Sequence, residues 1–251
     1  MNKTALITGA TSGIGEATAI LMAENNYNLI ITGRRTAKLK SLEKKLGKKI
    51  KVLCLSFDIT KKAEVEKAIS SLPKEWTAID VLVNNAGLAS GLDSIQNGDF
   101  EDWEKMIDTN VKGLLYITRL VAPMMVKRKK GHIVNISSVA GKEVYPLGNV
   151  YCASKHAVDA LSKAMRVDML EHGIKVTNIA PGMVETEFSL VRFHGDSKRA
   201  KSVYDGITPL NAVDVAEAII FAVTRPPHVN VNDLLLMPTA QASATQTHKK
   251  K

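Results

Sequence analysis

Seven short apolar runs punctuate the chain, at 3–8 (KTALIT), 27–32 (YNLIIT), 50–56 (IKVLCLS), 80–84 (DVLVN), 132–137 (HIVNIS), 175–180 (KVTNIA) and 234–237 (LLLM). They are nearly continuous in Val, Ile and Leu rather than alternating with polar residues, as strands buried on both faces require. Between them lie longer segments with apolar residues at helical spacing, near 13–26, 37–45, 61–72, 100–127, 151–172 and 213–224. In the fourth of these, Trp103, Met106, Ile107, Asn110, Leu114, Ile117 and Val121 recur with the helical period. Strict alternation of strand and helix predicts an α/β, doubly wound Rossmann fold: a seven-stranded parallel sheet with helices on both faces, built by 1–251 as a single domain. The rhythm breaks at 181–209, a long connection after the end of a predicted strand. Ligands bind at that edge of such sheets, and loops of this length are commonly lids, so 181–209 is read as a substrate loop; a solvated insertion is the plain alternative.

With 251 residues, 45% of them apolar, the chain can fill one substantial core. Cys54 and Cys152 have neither disulfide-framework nor metal-ligand spacing, so no metal is expected. No apolar run approaches the roughly 20 residues that span a bilayer, and the first begins too early to leave room for a signal peptide. A cytoplasmic protein without a membrane partner is expected. The net charge of +9 gathers at Lys38, Lys40, Lys44, Lys45, Lys48 and Lys49, at 127–130 and at 249–251. Aromatic residues are only 5% and do not interleave with those runs, so the basic excess reads as solvated surface and no nucleic-acid partner is expected.

The stretch TGATSGIG, 8–15, joins the first predicted strand to the first predicted helix. Gly9 permits a tight turn, Gly13 lets the backbone approach a pyrophosphate, and Gly15 lets helix pack on strand, with Thr11, Ser12 and Ile14 between them. Such a turn can be merely structural, but its place in the first strand-to-helix connection points to a dinucleotide. About 20 residues further on, an NAD site carries a carboxylate for the adenosine ribose hydroxyls. Here that place reads Gly33, Arg34, Arg35. Two guanidinium forks suit a 2′-phosphate instead, so the expected cofactor is NADP. Asp58 and Ile59 are placed to contact its adenine, and Asn85 and Gly87 its ribose. Tyr151 and Lys155 are one helical turn apart and share a face, as a catalytic pair or a plain surface pair would.

Together, T-G-x-x-x-G-I-G at 8–15, N-N-A-G at 84–87, Asn110 in DTNVKG, Ser138 in NISSVAG, Y-x-x-x-K at 151 and 155, and P-G at 181 and 182 resemble the short-chain dehydrogenase/reductases over essentially the whole chain. The interval from Ser138 to Tyr151, 151 − 138 = 13, matches as well. Within that family, LPKEWTAIDVLVNNAGLASG, DWEKMIDTNVKGLLYITR, TEFSLVRFHGD and HVNVNDLLLMPT are similar to the NADP-dependent 3-hydroxy acid dehydrogenases that act on serine and allo-threonine.

The resemblance implies Tyr151 as general acid/base, Lys155 as its activator and nicotinamide-ribose ligand, and Ser138 as hydrogen-bond partner of the substrate oxygen. It implies Asn110 as a support for Lys155 through a water, with Pro181, Gly182, Val184 and Thr186 at the cofactor. An unperturbed tyrosine, with a pKa near 10, is a poor base at neutral pH; the Lys155 ammonium and a positive nicotinamide are expected to favour the phenolate. Arg192 is the candidate partner for the carboxylate of a small 3-hydroxy acid substrate, an exposed loop arginine being the alternative. Oxidation at C3 would give a 3-oxo acid, which loses carbon dioxide easily. Rival readings are a reductase of 3-oxoacyl thioesters or other small carbonyl compounds, and a nucleotide-sensing or nucleic-acid-binding member without catalysis. The resemblance further implies a homotetramer built on 100–127 and 151–172, with Leu161 and Met165 serving either the core or that interface.

Overall fold

The strands β1 (Thr4–Ile7), β2 (Asn28–Gly33), β3 (Val52–Ser56), β4 (Ile79–Asn84), β5 (Gly131–Ile136), β6 (Ile174–Pro181) and β7 (Asp233–Leu236) form one sheet in the order β3-β2-β1-β4-β5-β6-β7. Every pairing is parallel. The computed structural model describes residues 2–249, so the lysines at 250 and 251 of the basic tail lie outside the described residues.

Successive strand residues enter different cores, which explains the unbroken apolar runs. Ala5, Ile7, Leu29, Ile31, Val81 and Val83 pack beneath α1 (Gly13–Glu24), α2 (Thr36–Leu46) and α9 (Ala212–Val223). Leu6, Ile30 and Leu82 face the opposite way, against α3 (Lys62–Ser70), α5 (Leu114–Arg128) and α6 (Asn149–Asp168). Each fully buried Leu, Ile or Val contributes about 1.5–3 kcal/mol, and the buried polar residues of the central strands, such as Asn84 and Asn135, are hydrogen-bonded to one another. The strand order reverses about β1, flanked by β2 and β4, and this opens a crevice at the carboxyl ends of the central strands.

The helix expected over 100–127 is interrupted. It comprises α4 (Phe100–Ile107), a π-helical turn over Asp108–Gly113, and then α5. Met106, Ile117 and Val121 are nonetheless all buried, so the apolar period runs through the interruption and conceals it. The 181–209 connection folds into two short helices, α7 (Phe188–Arg192) and α8 (Ser197–Ser202). Met165 lies in the core and Leu161 packs half-buried against it. Among the described residues, no helix is long and apolar enough to cross a membrane.

Candidate active site

A cleft of about 590 Å³ opens at the carboxyl ends of β1, β2, β4, β5 and β6. Its floor is the glycine-rich turn. Gly9 (φ +67°) and Gly13 (φ +54°) adopt the left-handed conformation that side chains disfavour. A Cβ on Gly15 would stand 2.3 Å from the Gly9 carbonyl oxygen and 2.5 Å from Asn85 Nδ2, so α1 rests directly on the turn. The segment after β4 clamps the turn from the other side. Asn85 Nδ2 donates to the carbonyls of Thr8 (2.8 Å) and Gly9 (3.2 Å), and Thr8 Oγ1 accepts from the Asn85 and Ala86 amides, both at 3.0 Å. Ser12, at the N-cap of α1, makes no side-chain capping bond, which leaves first-turn amides for an anion.

At the end of β2 stands a basic corner. Arg35 donates from Nε to Thr11 Oγ1 (3.1 Å), from one terminal nitrogen to Ser12 Oγ (2.5 Å) and from the other to Glu187 Oε2 (2.6 Å). Lys38 Nζ reaches Glu187 Oε1 at 2.8 Å, and Arg34 lies 3.7 Å from Asp58 Oδ2. The Asp58 Oδ1 oxygen accepts from the Thr60 amide and hydroxyl. Cations grouped where an NAD site presents a carboxylate fit the 2′-phosphate of NADP.

The opposite end holds the candidate chemistry. Ser138 caps the short 3-10 turn Val139–Gly141 by accepting from the Ala140 amide (3.1 Å), and its hydroxyl donates to the Pro181 carbonyl at 3.4 Å. A Cβ on Gly141 would meet Ser137 Oγ at 2.4 Å and the Lys155 carbonyl at 2.6 Å, so this turn lies directly against α6. Lys155 is 6% exposed, donates from Nζ to the Ile136 carbonyl at 2.9 Å, and is pulled down to about 8 by burial. Its Nζ sits 5.9 Å from the Tyr151 ring centroid.

Burial pushes the Tyr151 phenol well above its ordinary value, and the neighbouring Tyr145 adds to this; the Ser138 hydroxyl and the Arg192 guanidinium pull the other way. The chain by itself therefore holds Tyr151 as a neutral phenol, whereas the phenolate is expected with a positive nicotinamide beside it. Desolvation outweighs the pull of the Arg192 guanidinium.

Asn110 occupies the π-helical turn: Oδ1 accepts from the Leu88 amide (2.8 Å), while Nδ2 donates to the Leu88 carbonyl (2.8 Å) and to Ser154 Oγ (3.0 Å). The extra residue of the π turn lets one side chain pin the loop after β4 to α6. Its direct partners are therefore Leu88 and Ser154. A Cβ on Gly87 would come within 3.2 Å of Asn110 Oδ1 and 3.4 Å of Lys155 Nζ, so both groups flank the Gly87 backbone.

Arg192, half-buried at the end of α7, lies 5.6 Å from the Tyr151 ring centroid and 5.4 Å from that of Tyr145. It is held there because its backbone carbonyl accepts from the Gly91 amide (3.0 Å) and its Nε donates to the Gly91 carbonyl (3.3 Å). Two residues on, His194 pairs with Asp102 at 3.1 Å, and Asp102 also accepts from Ser90 at 2.6 Å.

Every residue expected at the site lines the cleft except Gly15 and Asn110, which support it from behind. Among the lining residues that were not anticipated, Tyr145, Glu187, Phe188 and Gln241 bear on the argument. Phe188 meets the Tyr151 ring edge-on at 5.6 Å between centroids, and Gln241 Oε1 accepts from the Met183 amide at 2.8 Å. Tyr145 falls inside the Ser138-to-Tyr151 interval and Glu187 sits beside the P-G segment, both usable signals; nothing in the sequence marks Gln241.

The pattern of the short chain dehydrogenase family matches residues 3–195. An NADP-dependent 3-hydroxy acid dehydrogenase of Salmonella typhi is 47% identical over 240 residues, 95% of this chain and 96% of that protein. The NADP-dependent 3-hydroxy acid dehydrogenase of Schizosaccharomyces pombe is 42% identical over 99% of this chain and 97% of its own length. Among solved structures, the closed form of a serine dehydrogenase complexed with NADP+ superposes with a TM-score of 0.92 at 44% identity, covering 99% of this chain and all of that one.

Proposed function

The chain belongs to the short-chain dehydrogenase family, and on that footing we propose that it oxidises the 3-hydroxyl of small 3-hydroxy acids such as L-serine and L-allo-threonine, with carbonyl reduction as the reverse reaction. It is an NADP-dependent oxidoreductase. Bound NADP supplies the acceptor for the hydride that leaves the substrate carbon. The Tyr151 hydroxyl exchanges the proton of the substrate oxygen, and Ser138 offers that oxygen a hydrogen bond as charge develops. Lys155, anchored by the Ile136 carbonyl, holds the ribose beside the reacting carbon. Because burial keeps Tyr151 neutral in the chain alone, the resting side chain is an acid ready for reduction; oxidation needs that proton removed, which the positive charge of bound NADP would favour and rising pH would promote.

The substrate class rests on one observation: a guanidinium, Arg192, stands beside the Tyr151 ring in the same cleft. A carboxylate two carbons from the reacting oxygen would pair with it. Incubation with L-serine and NADP should release NADPH and carbon dioxide in equal amounts, since the 3-oxo acid decarboxylates. NADPH formed without carbon dioxide would place the oxidation elsewhere on the substrate. The homotetramer implied by resemblance is supported by exposed Leu115 on α5, by Val167 at the end of α6 and by Leu170 in the 3-10 turn that follows it. Light scattering of the purified chain tests it, and a monomeric mass contradicts it.

A further inference from the structure

Glu187, at the N-cap of α7, bridges the cleft to the basic corner on α2. Its two carboxylate oxygens are divided between Arg35 (2.6 Å) and Lys38 (2.8 Å). The remaining nitrogens of the Arg35 fork are directed to Thr11 and Ser12, so the carboxylate takes the part of the guanidinium that is left. The first turn of α2 contains no acidic residue of its own, and a helix N-terminus attracts whichever anion is brought to it. Those two cations hold the Glu187 carboxyl down to about 2, so it is charged throughout the physiological range.

A carboxylate and a phosphate monoester are both anions that accept hydrogen bonds from Arg and Lys, and they repel each other when placed on the same cations. We propose that Glu187 is an internal competitor of the cofactor's 2′-phosphate, occupying Arg35 and Lys38 until the phosphate displaces it. This inference rests on the reading of Arg35 as the 2′-phosphate partner. Glu187 and Arg192 stand at the two ends of the same short helix, 192 − 187 = 5 residues apart. Displacing the carboxylate therefore frees the α2-facing end of the segment that carries the substrate's cation. The competition makes Glu187 a determinant of NADP affinity and links the adenosine end of the cleft to the substrate end.

The test uses 2′,5′-ADP, which carries the 2′-phosphate without nicotinamide, and 5′-ADP, which lacks it, titrated calorimetrically into the full chain and into Glu187→Gln. The ion pairs are roughly half exposed, so the competition is modest: Glu187→Gln should bind 2′,5′-ADP about 3- to 10-fold more tightly, with 5′-ADP affinity unchanged. Hydrogen exchange of residues 188–192 should rise when 2′,5′-ADP binds the native chain, and should already be raised in Glu187→Gln. Equal or weaker 2′,5′-ADP binding by Glu187→Gln overturns the proposal, the weaker case showing that Glu187 orients the cations for the phosphate. An Arg35→Gln control separates the two levels. If the native chain does not prefer 2′,5′-ADP and Arg35→Gln changes nothing, the assignment of Arg35 fails and takes the competition with it. If that preference exists and Arg35→Gln abolishes it while Glu187→Gln behaves as native, only the competition fails.

Discussion

Replacing Arg192 with Gln removes one positive charge while keeping a side chain of similar reach. The loss has two separate consequences. The first concerns the carboxylate: losing one partner of a buried charge pair costs about 2–5 kcal/mol, and Arg192 is half-buried, which favours the lower half of that range. At about 2–3 kcal/mol, kcat/KM for L-serine should fall roughly 30- to 150-fold, while ethanolamine, the same alcohol without a carboxylate, should lose little. The second concerns Tyr151. A unit charge 5.6 Å from the ring gives about 3 kcal/mol at an effective dielectric constant of 20 and under 1 kcal/mol in water. A half-buried cation falls between these limits, so the alkaline rise in oxidation rate should move up by about one pH unit with either substrate. Initial rates of NADP reduction, measured across pH with both alcohols, read the two effects in one experiment. An equal fall for serine and ethanolamine would refute the carboxylate pairing, and an unmoved pH profile would refute the charge coupling to Tyr151.

Tyr151→Phe should keep NADP affinity and lower kcat by about 10²–10⁴, as measured by fluorescence titration beside steady-state kinetics; lost binding would mean the ring has a mainly structural role. Asn110→Ala leaves the Leu88 amide and carbonyl without their partner, so urea unfolding should show a loss of about 2–4 kcal/mol, and a loss under 0.5 kcal/mol would contradict the bracing role. His132 is pulled down to about 3 by burial and the nearby Lys175, while its ring bonds Thr177 at 2.7 Å. Its folded pKa lies below the unfolded value near 6.5, so stability is full above pH 6.5 and drains away as pH falls towards 3, by up to roughly 5 kcal/mol. His132→Gln should flatten that acid limb in denaturation midpoints; an unchanged limb would assign the acid sensitivity to other groups.

The strands were legible because both faces of the sheet are covered, which forces residues such as Leu6, Ile30 and Leu82 to be as apolar as their neighbours in sequence. The glycine turn, Arg35, Ser138, Tyr151 and Lys155 were legible as cleft residues because each stands at a fixed position in the strand-to-helix rhythm. The π turn at Asp108–Gly113 was not, since the apolar face of 100–127 continues across it, and the contacts of Asn110 with Leu88 and Ser154 exist only after folding. The helices α7 and α8, of five and six residues, are too short for a period to show. Gln241 reaches Met183 from 58 residues away, and Glu187 reaches Arg35 from 152, so both contacts exist only after folding. The protonation of Tyr151 depends on burial, which motif spacing does not report.

The most direct measurement is NADP reduction by the purified chain with L-serine, L-allo-threonine and 3-hydroxybutyrate, set beside NADPH oxidation with a 3-oxoacyl thioester. Turnover of the free acids, dependent on NADP and lost in Tyr151→Phe, is the predicted result. NADP binding with no turnover of the acids, and rapid reduction of the thioester, would contradict the account.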